Sequence, residues 1–383
     1  MNFLLSAGEA SGDTYGAQLI EALKQLVPDM KFFGMGGEKM QAAGCELLVH
    51  AREVAVVGLV EVVTHLPHIR RQFKALVAEC GRRKPDAAVL IDFPDFNLRL
   101  ARELHRLHIP VFYFISPQLW AWRSGRVKQI QKYVRKMIVI FPFEQEFYRK
   151  HGVDVTYVGH PLAHSAESSV SRREFAAQNH LDAGKHWIAL LPGSRKKEVL
   201  LNLPEMLSAA RLLEGDGDYE FVLPVASTLS QEWMGAQLSG PEESVPVRLT
   251  GDSRVTLKHA RAAVVASGTA TVEAALAGTP FVVVYRVAPL TWLLGRRLVN
   301  LNTFAMPNLI QGKERHAVPE LIQKDFTASN IVRELQAIIP DDAPRTRMLA
   351  DLKEVREKLR DSGDPEVPAV RAAGEILRLL PRR

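Results

Sequence analysis

The chain has 383 residues, 47% of them hydrophobic and 24% charged, with a formal net charge of +6. At roughly 150 residues per domain this length fits two domains, and the composition excludes a disordered tail and a collagen-like fibre. No run reaches about 18 consecutive apolar residues, so a spanning helix is not expected. The start Met1-Asn2-Phe3-Leu4-Leu5-Ser6 lacks the basic region of a secretory signal. Cys45 and Cys80 are too few for a disulfide framework and lack metal-ligand spacing, so both read as buried free thiols of a reducing cytosol.

Short β-branched runs alternate with helical patterns through most of the chain. Phe3–Ser6 reads as a buried strand, and Gly16–Val27 as a helix with Leu19, Ile20, Leu23, Leu26 and Val27 on one face, stopped by Pro28. The loop between them, Gly8-Glu9-Ala10-Ser11-Gly12-Asp13, offers glycines for close backbone approach and the free N–H groups of a helix start. It is neither G-x-G-x-x-G nor a Walker A loop, and Ser11 or Asp13 could equally cap the helix. Val54–Val63 is apolar and nearly uncharged. Ten residues cannot span a bilayer, but such a strip beside Arg70, Arg71, Lys74, Arg82, Arg83 and Lys84 can lie in a membrane interface. A buried helix packing on the first sheet is the alternative.

Ala87–Ile91 is a buried strand leading into Ile91-Asp92-Phe93-Pro94-Asp95-Phe96-Asn97. A carboxylate at the carboxyl end of a buried strand is desolvated, which raises its pKa toward that of a useful general base. Asp92 is that candidate, with a structural loop acceptor as the other reading. The strand Val111–Ile115 precedes Ser116-Pro117-Gln118-Leu119-Trp120-Ala121-Trp122-Arg123, whose paired tryptophans suit either a core or an amphipathic surface. A second basic patch, Arg123, Arg126, Lys128, Lys132, Arg135 and Lys136, leads into the strand Met137–Ile140. Nucleic acid is the least favoured partner for these patches. The patches lack interleaved aromatics on strands, and no zinc-finger or RNA-binding signature occurs.

The pattern restarts near Ile188, after Gly159-His160-Pro161-Leu162 and the polar stretch Ser165–Ser171. This sets domain bounds of 1–164 and 165–345, with C-terminal helices over 346–383. Strands are expected at Ile188–Leu191, Phe221–Leu223, Ala262–Val265 and Phe281–Tyr285, and helices at Ala343–Leu359 and Val367–Leu380. The βαβα order implies an α/β fold of two Rossmann-like, doubly wound parallel sheets, with ligands outside the carboxyl ends of the strands and a cleft between the domains. In the second half, Leu191-Pro192-Gly193-Ser194-Arg195 supplies backbone donors and a guanidinium fork suited to a diphosphate. Ser267, Gly268 and Thr269 fit a helix start facing an anion, and Glu273, one turn in, can accept hydrogen bonds from ribose hydroxyls. Each could instead be a plain turn or cap. No metal cluster, G-x-S-x-G elbow or kinase signature occurs. Pro67 argues against His65 and His68 as ligands on one helix.

Taken in order, GEASGD at 8–13, VVGLVEV at 56–62, IDFPDFN at 91–97, SPQLWAWR at 116–123, FPFE at 141–144, GHPL at 159–162, LLPGSR at 190–195, SGTATVEAAL at 267–276 and PNLI at 307–310 resemble the lipid-A-disaccharide synthase family. The C-terminal helices match less distinctly. The resemblance implies a GT-B fold and an inverting glycosyl transfer. UDP-2,3-diacylglucosamine would donate its sugar to 2,3-diacylglucosamine 1-phosphate (lipid X), giving a β-1,6 disaccharide 1-phosphate and UDP. No cofactor or metal is implied.

It further implies Asp92 as the base and Glu9, Ser11 and Asp13 on the acceptor side. Gly193, Ser194, Arg195, Ser267, Gly268, Thr269, Glu273 and Asn308 would hold UDP or diphosphate. Family members are cytoplasmic and bind the inner membrane peripherally, which assigns Val56, Val57, Leu59, Val60, Val63, Arg70 and Arg71 to an anionic membrane surface. They can also dimerise by exchanging C-terminal elements. The charge agrees with this: residues 1–162 carry 21 Lys+Arg against 16 Asp+Glu, the remainder 28 against 27. Two competing readings are another UDP-sugar enzyme of the same fold, such as a lipid-carrier N-acetylglucosaminyltransferase or a nonhydrolysing epimerase, and a non-enzymatic nucleotide-sugar sensor or membrane scaffold.

Overall fold

The computed structural model describes residues 1–54, 59–120, 124–164, 168–215, 218–239, 245–287, 303–312, 315–360 and 367–380, with the backbone alone at 59–65 and 124. The chain forms two compact units, Met1–His164 with Leu359–Arg383, and Ser165–Lys358. The stretch 346–383 is therefore divided between them. The helix Ala343–Arg360 runs with the second unit as far as Lys358, and the helix Pro368–Arg378 belongs to the first.

In the first unit the strands are β1 (Asn2–Ala7), β2 (Lys31–Gly36), β3 (Cys45–His50), β4 (Ala87–Ile91), β5 (Val111–Phe114), β6 (Lys136–Val139) and β7 (Val155–Tyr157). They form a parallel sheet in the order β3-β2-β1-β4-β5-β6-β7. Successive side chains of a strand point to opposite faces, and a parallel sheet is covered on both. Phe3, Leu5, Ala87, Val89 and Ile91 enter one core, and Leu4, Ala88 and Leu90 the other. The first core is completed by α1 (Ala10–Leu26) through Leu19, Ile20 and Leu23, and by Ala372, Ala373 and Ile376 of Pro368–Arg378. The second is completed by α3 (Leu59–Arg83) through Leu76 and Cys80, α4 (Pro94–Arg106) through Leu100 and Leu104, and α5 (Val127–Tyr133) through Ile130. Between α1 and α3 lies the short α2 (Glu38–Ala42).

Two local expectations are corrected. Helix α1 starts at Ala10, so Ser11, Gly12 and Asp13 belong to its first turn and not to a loop, and the Asp13 N–H already donates to the Glu9 carbonyl at 2.9 Å. Pro67 lies inside α3 and does not end it. Cys45 and Cys80 are buried free thiols, each pushed up to about 12 by burial.

The second unit contains β8 (His186–Leu191), β9 (Tyr219–Pro224), β10 (Val247–Thr250), β11 (Ala262–Ala266), β12 (Phe281–Tyr285) and β13 (Glu320–Ile322). These also run parallel, in the order β10-β9-β8-β11-β12-β13. Each sheet therefore has one place where the strand order turns: between β1 and β4, and between β8 and β11. Loops leaving the carboxyl ends at such a place form the ligand crevice of an open α/β sheet.

Candidate functional site

At the first crevice, Gly8 and Glu9 follow β1 while Asp92 and Phe93 follow β4. The two loops close on each other: a Cβ on Gly8 would lie 2.3 Å from the Phe93 ring. Asp92 and Phe93 have φ of +45° and +50°, and Ile115, at the end of β5, has +65°. Non-glycine residues in the left-handed region cost roughly 1–3 kcal/mol each and persist only where their surroundings over-determine them.

Here the surroundings do. Asn97, fully buried, donates to the carbonyls of Asp92 (2.8 Å), Ile91 (3.2 Å) and Ser6 (3.2 Å), and accepts from the Ser6 hydroxyl (2.7 Å). The buried Tyr113 phenol donates to the Asp92 carbonyl at 2.6 Å. Pro94 opens α4 directly after the strained pair, and the Asn97 N–H returns to the Phe93 carbonyl at 3.0 Å. The Asp92 backbone is thus clamped from β1, β5 and its own helix, and its side chain is half-buried. Burial, reinforced by the Glu9 charge and opposed by the Phe93 N–H, pushes its carboxyl up to about 7. A carboxylate poised there can accept a proton at neutral pH.

A second buried carboxyl stands nearby. Burial, with the Asp92 charge adding to it, pushes Glu144 up to about 8, against a hydrogen bond from Trp120 Nε1 (3.2 Å) and another from the Phe141 N–H (3.3 Å). Trp120 packs edge-on against Phe143 at 4.9 Å, while Ser116 and Tyr148 share a buried hydrogen bond of 2.8 Å. His160, buried against Phe141, is driven down to about 3 by burial, so its ring is neutral. Trp122 and Arg123 lie outside the described residues.

The acceptor-side residues divide. Glu9 and Ser11 are exposed at the crevice end of α1. Asp13 is instead buried, accepting from the N–H groups of Gly37 (2.7 Å), Lys39 (3.1 Å) and Met40 (3.0 Å), so its carboxylate serves the start of α2. Of the proposed membrane residues, Val56 and Val57 lie outside the described residues. Leu59, Val60 and Val63 are described as backbone of α3, on which Arg70 and Arg71 are exposed. Val54, at the start of the strip, is buried in the core. Arg82 and Arg83 are paired with Glu79 at 2.6 and 2.8 Å, and Arg83 also with Glu46 at 2.6 Å, which removes them from the free basic surface.

The second crevice is built from small residues. Gly193 after β8 and Gly268 after β11 have φ of +131° and +149°, conformations that side-chain-bearing residues rarely adopt. A pocket of about 480 Å³ opens there, lined by Gly193, Ser194, Ser267, Gly268, Thr269 and Glu273, and by Ser253 and Arg254 from the helix Ser253–His259. Glu273 is held by the Ser253 hydroxyl at 2.8 Å. Thr269 begins a helix, so unpaired N–H groups and a positive dipole end lie at the wall.

Two expectations change here. Arg195 is not among the lining residues: its guanidinium pairs with Glu198 at 3.1 Å, and Glu198 also takes the N–H of Ser194 at 3.1 Å. Asn308 is buried and fully committed inside the fold. It donates to the Val318 carbonyl (3.0 Å) and Glu320 (2.6 Å) and accepts from the Val318 N–H (3.0 Å), joining its helix to β13. Arg254 was missed in the sequence because only the fold brings the Gly251-Asp252-Ser253 turn beside Gly193. Among the described residues no group of three or more His, Cys, Asp or Glu could hold a metal ion.

Two doubly wound parallel sheets, each with a crevice at its turning point, are the architecture of the GT-B fold, and solved structures share it. A glycotransferase of kitacinnamycin matches with a TM-score of 0.63 at 15% identity, covering 99% of this chain and 98% of that one. The UDP-GlcNAc 2-epimerase from Neisseria meningitidis bound to UDP-GlcNAc matches with 0.63 at 13% identity, covering 99% of each. At such identities the likeness is one of fold. The family follows from sequence: the model described as lipid-A-disaccharide synthetase matches residues 3–365. Proteins named lipid-A-disaccharide synthase are 54% identical in Koribacter versatilis (strain Ellin345), over 100% of both chains, and 51% identical in Acidobacterium capsulatum, over 98% of this chain and 96% of the relative. The chain belongs to the lipid-A-disaccharide synthase family.

Proposed function

We propose that the chain transfers 2,3-diacylglucosamine from UDP-2,3-diacylglucosamine to 2,3-diacylglucosamine 1-phosphate, forming the β-1,6 disaccharide 1-phosphate and UDP with inversion. The observation that carries this reading is Asp92: a clamped, half-buried carboxylate at the crevice of the first sheet, with its proton affinity raised to about 7. In its ionised form Asp92 accepts the proton of the acceptor 6-hydroxyl as that oxygen bonds to C1 of the donor. The C1–oxygen bond to UDP breaks on the opposite face, so one base suffices and no covalent intermediate forms. By analogy with inverting glycoside hydrolysis the transition state is oxocarbenium-like.

The leaving diphosphate gains charge as the bond breaks. The backbone at Gly193 and Ser194 and the helix start at Ser267, Gly268 and Thr269 support a receptor for it, since preorganised donors are each worth roughly 10²–10³-fold. Arg254 lines the same pocket, and Arg195 adjoins it through the pocket-lining Glu198. Glu273 would take the ribose hydroxyls, and Glu9 and Ser11 the acceptor sugar.

The acyl chains of both substrates call for work at a lipid surface. Among the described residues no helix is long and apolar enough to cross a membrane. The exposed Arg70 and Arg71, on the helix that also carries Leu59, Val60 and Val63, support peripheral contact with the anionic inner-membrane surface from the cytoplasmic side, as does Val56-Val57 in sequence. A homodimer made by exchanging C-terminal elements would replace the packing of Pro368–Arg378 on α1 by that of a second copy. The test is to incubate purified protein with both lipids in detergent and analyse products by mass spectrometry. Disaccharide 1-phosphate and UDP are expected in equal amounts, and absence of disaccharide overturns the reading.

A further inference from the structure

A second hollow in the first unit lies between α4 and α5, with a volume of about 300 Å³. Asp95, Leu98, Arg99 and Arg102 line it from α4. Their spacing of three, four and seven residues places them on a single helical face. Arg126, Gln129 and Tyr133 line it from α5 and the residue before it, again on one face. Three guanidinium groups therefore meet one carboxylate.

Arg126 Nη2 is 2.6 Å from Asp95 Oδ1. Arg102 pairs at 3.2 Å with Glu103, which does not line the hollow and is shared with Arg106 at 2.9 Å. Among the described residues Arg99 has no ion-pair partner. The lining thus carries a surplus of two positive charges, with the phenol of Tyr133 and the amide of Gln129 as neutral partners.

The position matters as much as the charge. The wall begins at Pro94, two residues after Asp92, on the helix that hangs from the strained loop. Burial above all holds the Tyr113 phenol well above its usual range, and the Arg126 charge pulls it back, so Arg126 lies within electrostatic reach of the residue that grips Asp92. A phosphate monoester carries about −1.5 to −2 charges at neutral pH and three acceptor oxygens, a match for several guanidinium forks. In a 1-phosphorylated glucosamine, C1 and C5 flank the ring oxygen, so the phosphate and the 6-hydroxymethyl group leave neighbouring ends of one ring.

We propose that the hollow formed by Arg99, Arg102 and Arg126 binds the phosphate monoester of the acceptor and so selects 1-phosphorylated acceptors and seats their 6-hydroxyl at Asp92. This rests on the acceptor assigned above. Phosphate on an anionic lipid headgroup offers similar chemistry, and the experiment separates the two sources. In neutral detergent, kcat/KM is measured for 2,3-diacylglucosamine 1-phosphate and for 2,3-diacylglucosamine lacking the phosphate, with the wild type and with Arg99→Ala/Arg102→Ala.

The wild type should prefer the phosphorylated acceptor, and the ratio of the two kcat/KM values should fall roughly 10- to 100-fold in the variant, mainly through KM. An unchanged ratio overturns the proposal. So does a defect confined to binding of phosphatidylglycerol vesicles, which would assign the arginines to headgroups. Calorimetric titration with glucosamine 1-phosphate keeps this proposal apart from the reading it rests on. Affinity present in the wild type and lost in the variant supports the hollow even if no disaccharide forms; equal affinity in the two proteins overturns it.

Discussion

The two sheets turn at equivalent places, β1 against β4 and β8 against β11, yet the residues there have almost nothing in common. The first crevice uses non-glycine residues in left-handed conformations, clamped by Asn97 and Tyr113, and two carboxyls with raised proton affinity. The second uses Gly193 and Gly268 for its unusual backbone, small hydroxyl residues, and a pocket open enough for a nucleotide. A base needs a dry, rigid seat that raises its pKa; a diphosphate needs exposed N–H groups and no side chains in the way. On the proposed assignment one topology serves two chemistries, and the loops decide which.

The largest expected effect breaks the first crevice alone. Asp92→Asn should lower turnover by about 10²–10⁴-fold with the fold intact by circular dichroism, since it removes the base and keeps the shape. In the wild type the rate should rise with pH through about 7 and then level off, because Asp92 must be ionised to accept a proton; a profile flat from pH 5 to 9 contradicts this.

Next comes the second crevice. In Gly193→Ala the new Cβ would lie 2.7 Å from the Glu198 side chain at a φ of +131°. Strain of roughly 1–3 kcal/mol should weaken UDP binding by about 5- to 100-fold, read by calorimetry.

Asn97→Ala should sharpen the comparison further. Three carbonyls lose a donor, so the protein should lose about 1–3 kcal/mol of stability in urea unfolding. Turnover should drop while UDP affinity stays, because the clamp serves only the first crevice.

The last effect is one of stability. Asp92 titrates near 7 when folded, against an ordinary unfolded value near 3.9. The folded state therefore holds this proton more tightly. Stability from that proton is full below about pH 4 and is lost as pH rises through about 7. Asp92→Asn should melt at a higher temperature than wild type at pH 8, with the gap closing toward pH 4. A gap that widens on acidification contradicts the sign.

The central strands were legible because each is a short run buried on both faces: Ala87–Ile91 and Phe281–Tyr285 were placed to the residue. Four of the strands not read from sequence, β3, β7, β10 and β13, are sheet edges, where partial exposure or a length of three residues erases the apolar run. The fifth, β2, is interrupted by Gly34 and Gly36, and a Cβ at Gly34 would lie 1.9 Å from the Leu5 carbonyl oxygen.

The position of a candidate site residue was legible where it lies one or two residues past a strand, as with Asp92, Gly193 and Ser267. It was not legible where hydrogen-bond partners come from far along the chain. Asp13 looks like a crevice acid but is taken by α2, and Asn308 is taken by Val318 and Glu320. Tyr113 and Arg254 reach their sites only through strand pairing.

The division of labour between the crevices is tested most directly by titrating UDP into the wild type, Asp92→Asn and Gly193→Ala, and measuring disaccharide formation by each. The account predicts that Asp92→Asn binds UDP as tightly as the wild type and forms almost no disaccharide, while Gly193→Ala loses UDP affinity. Loss of UDP affinity in Asp92→Asn in step with its turnover, or near-normal turnover in that variant, would contradict it.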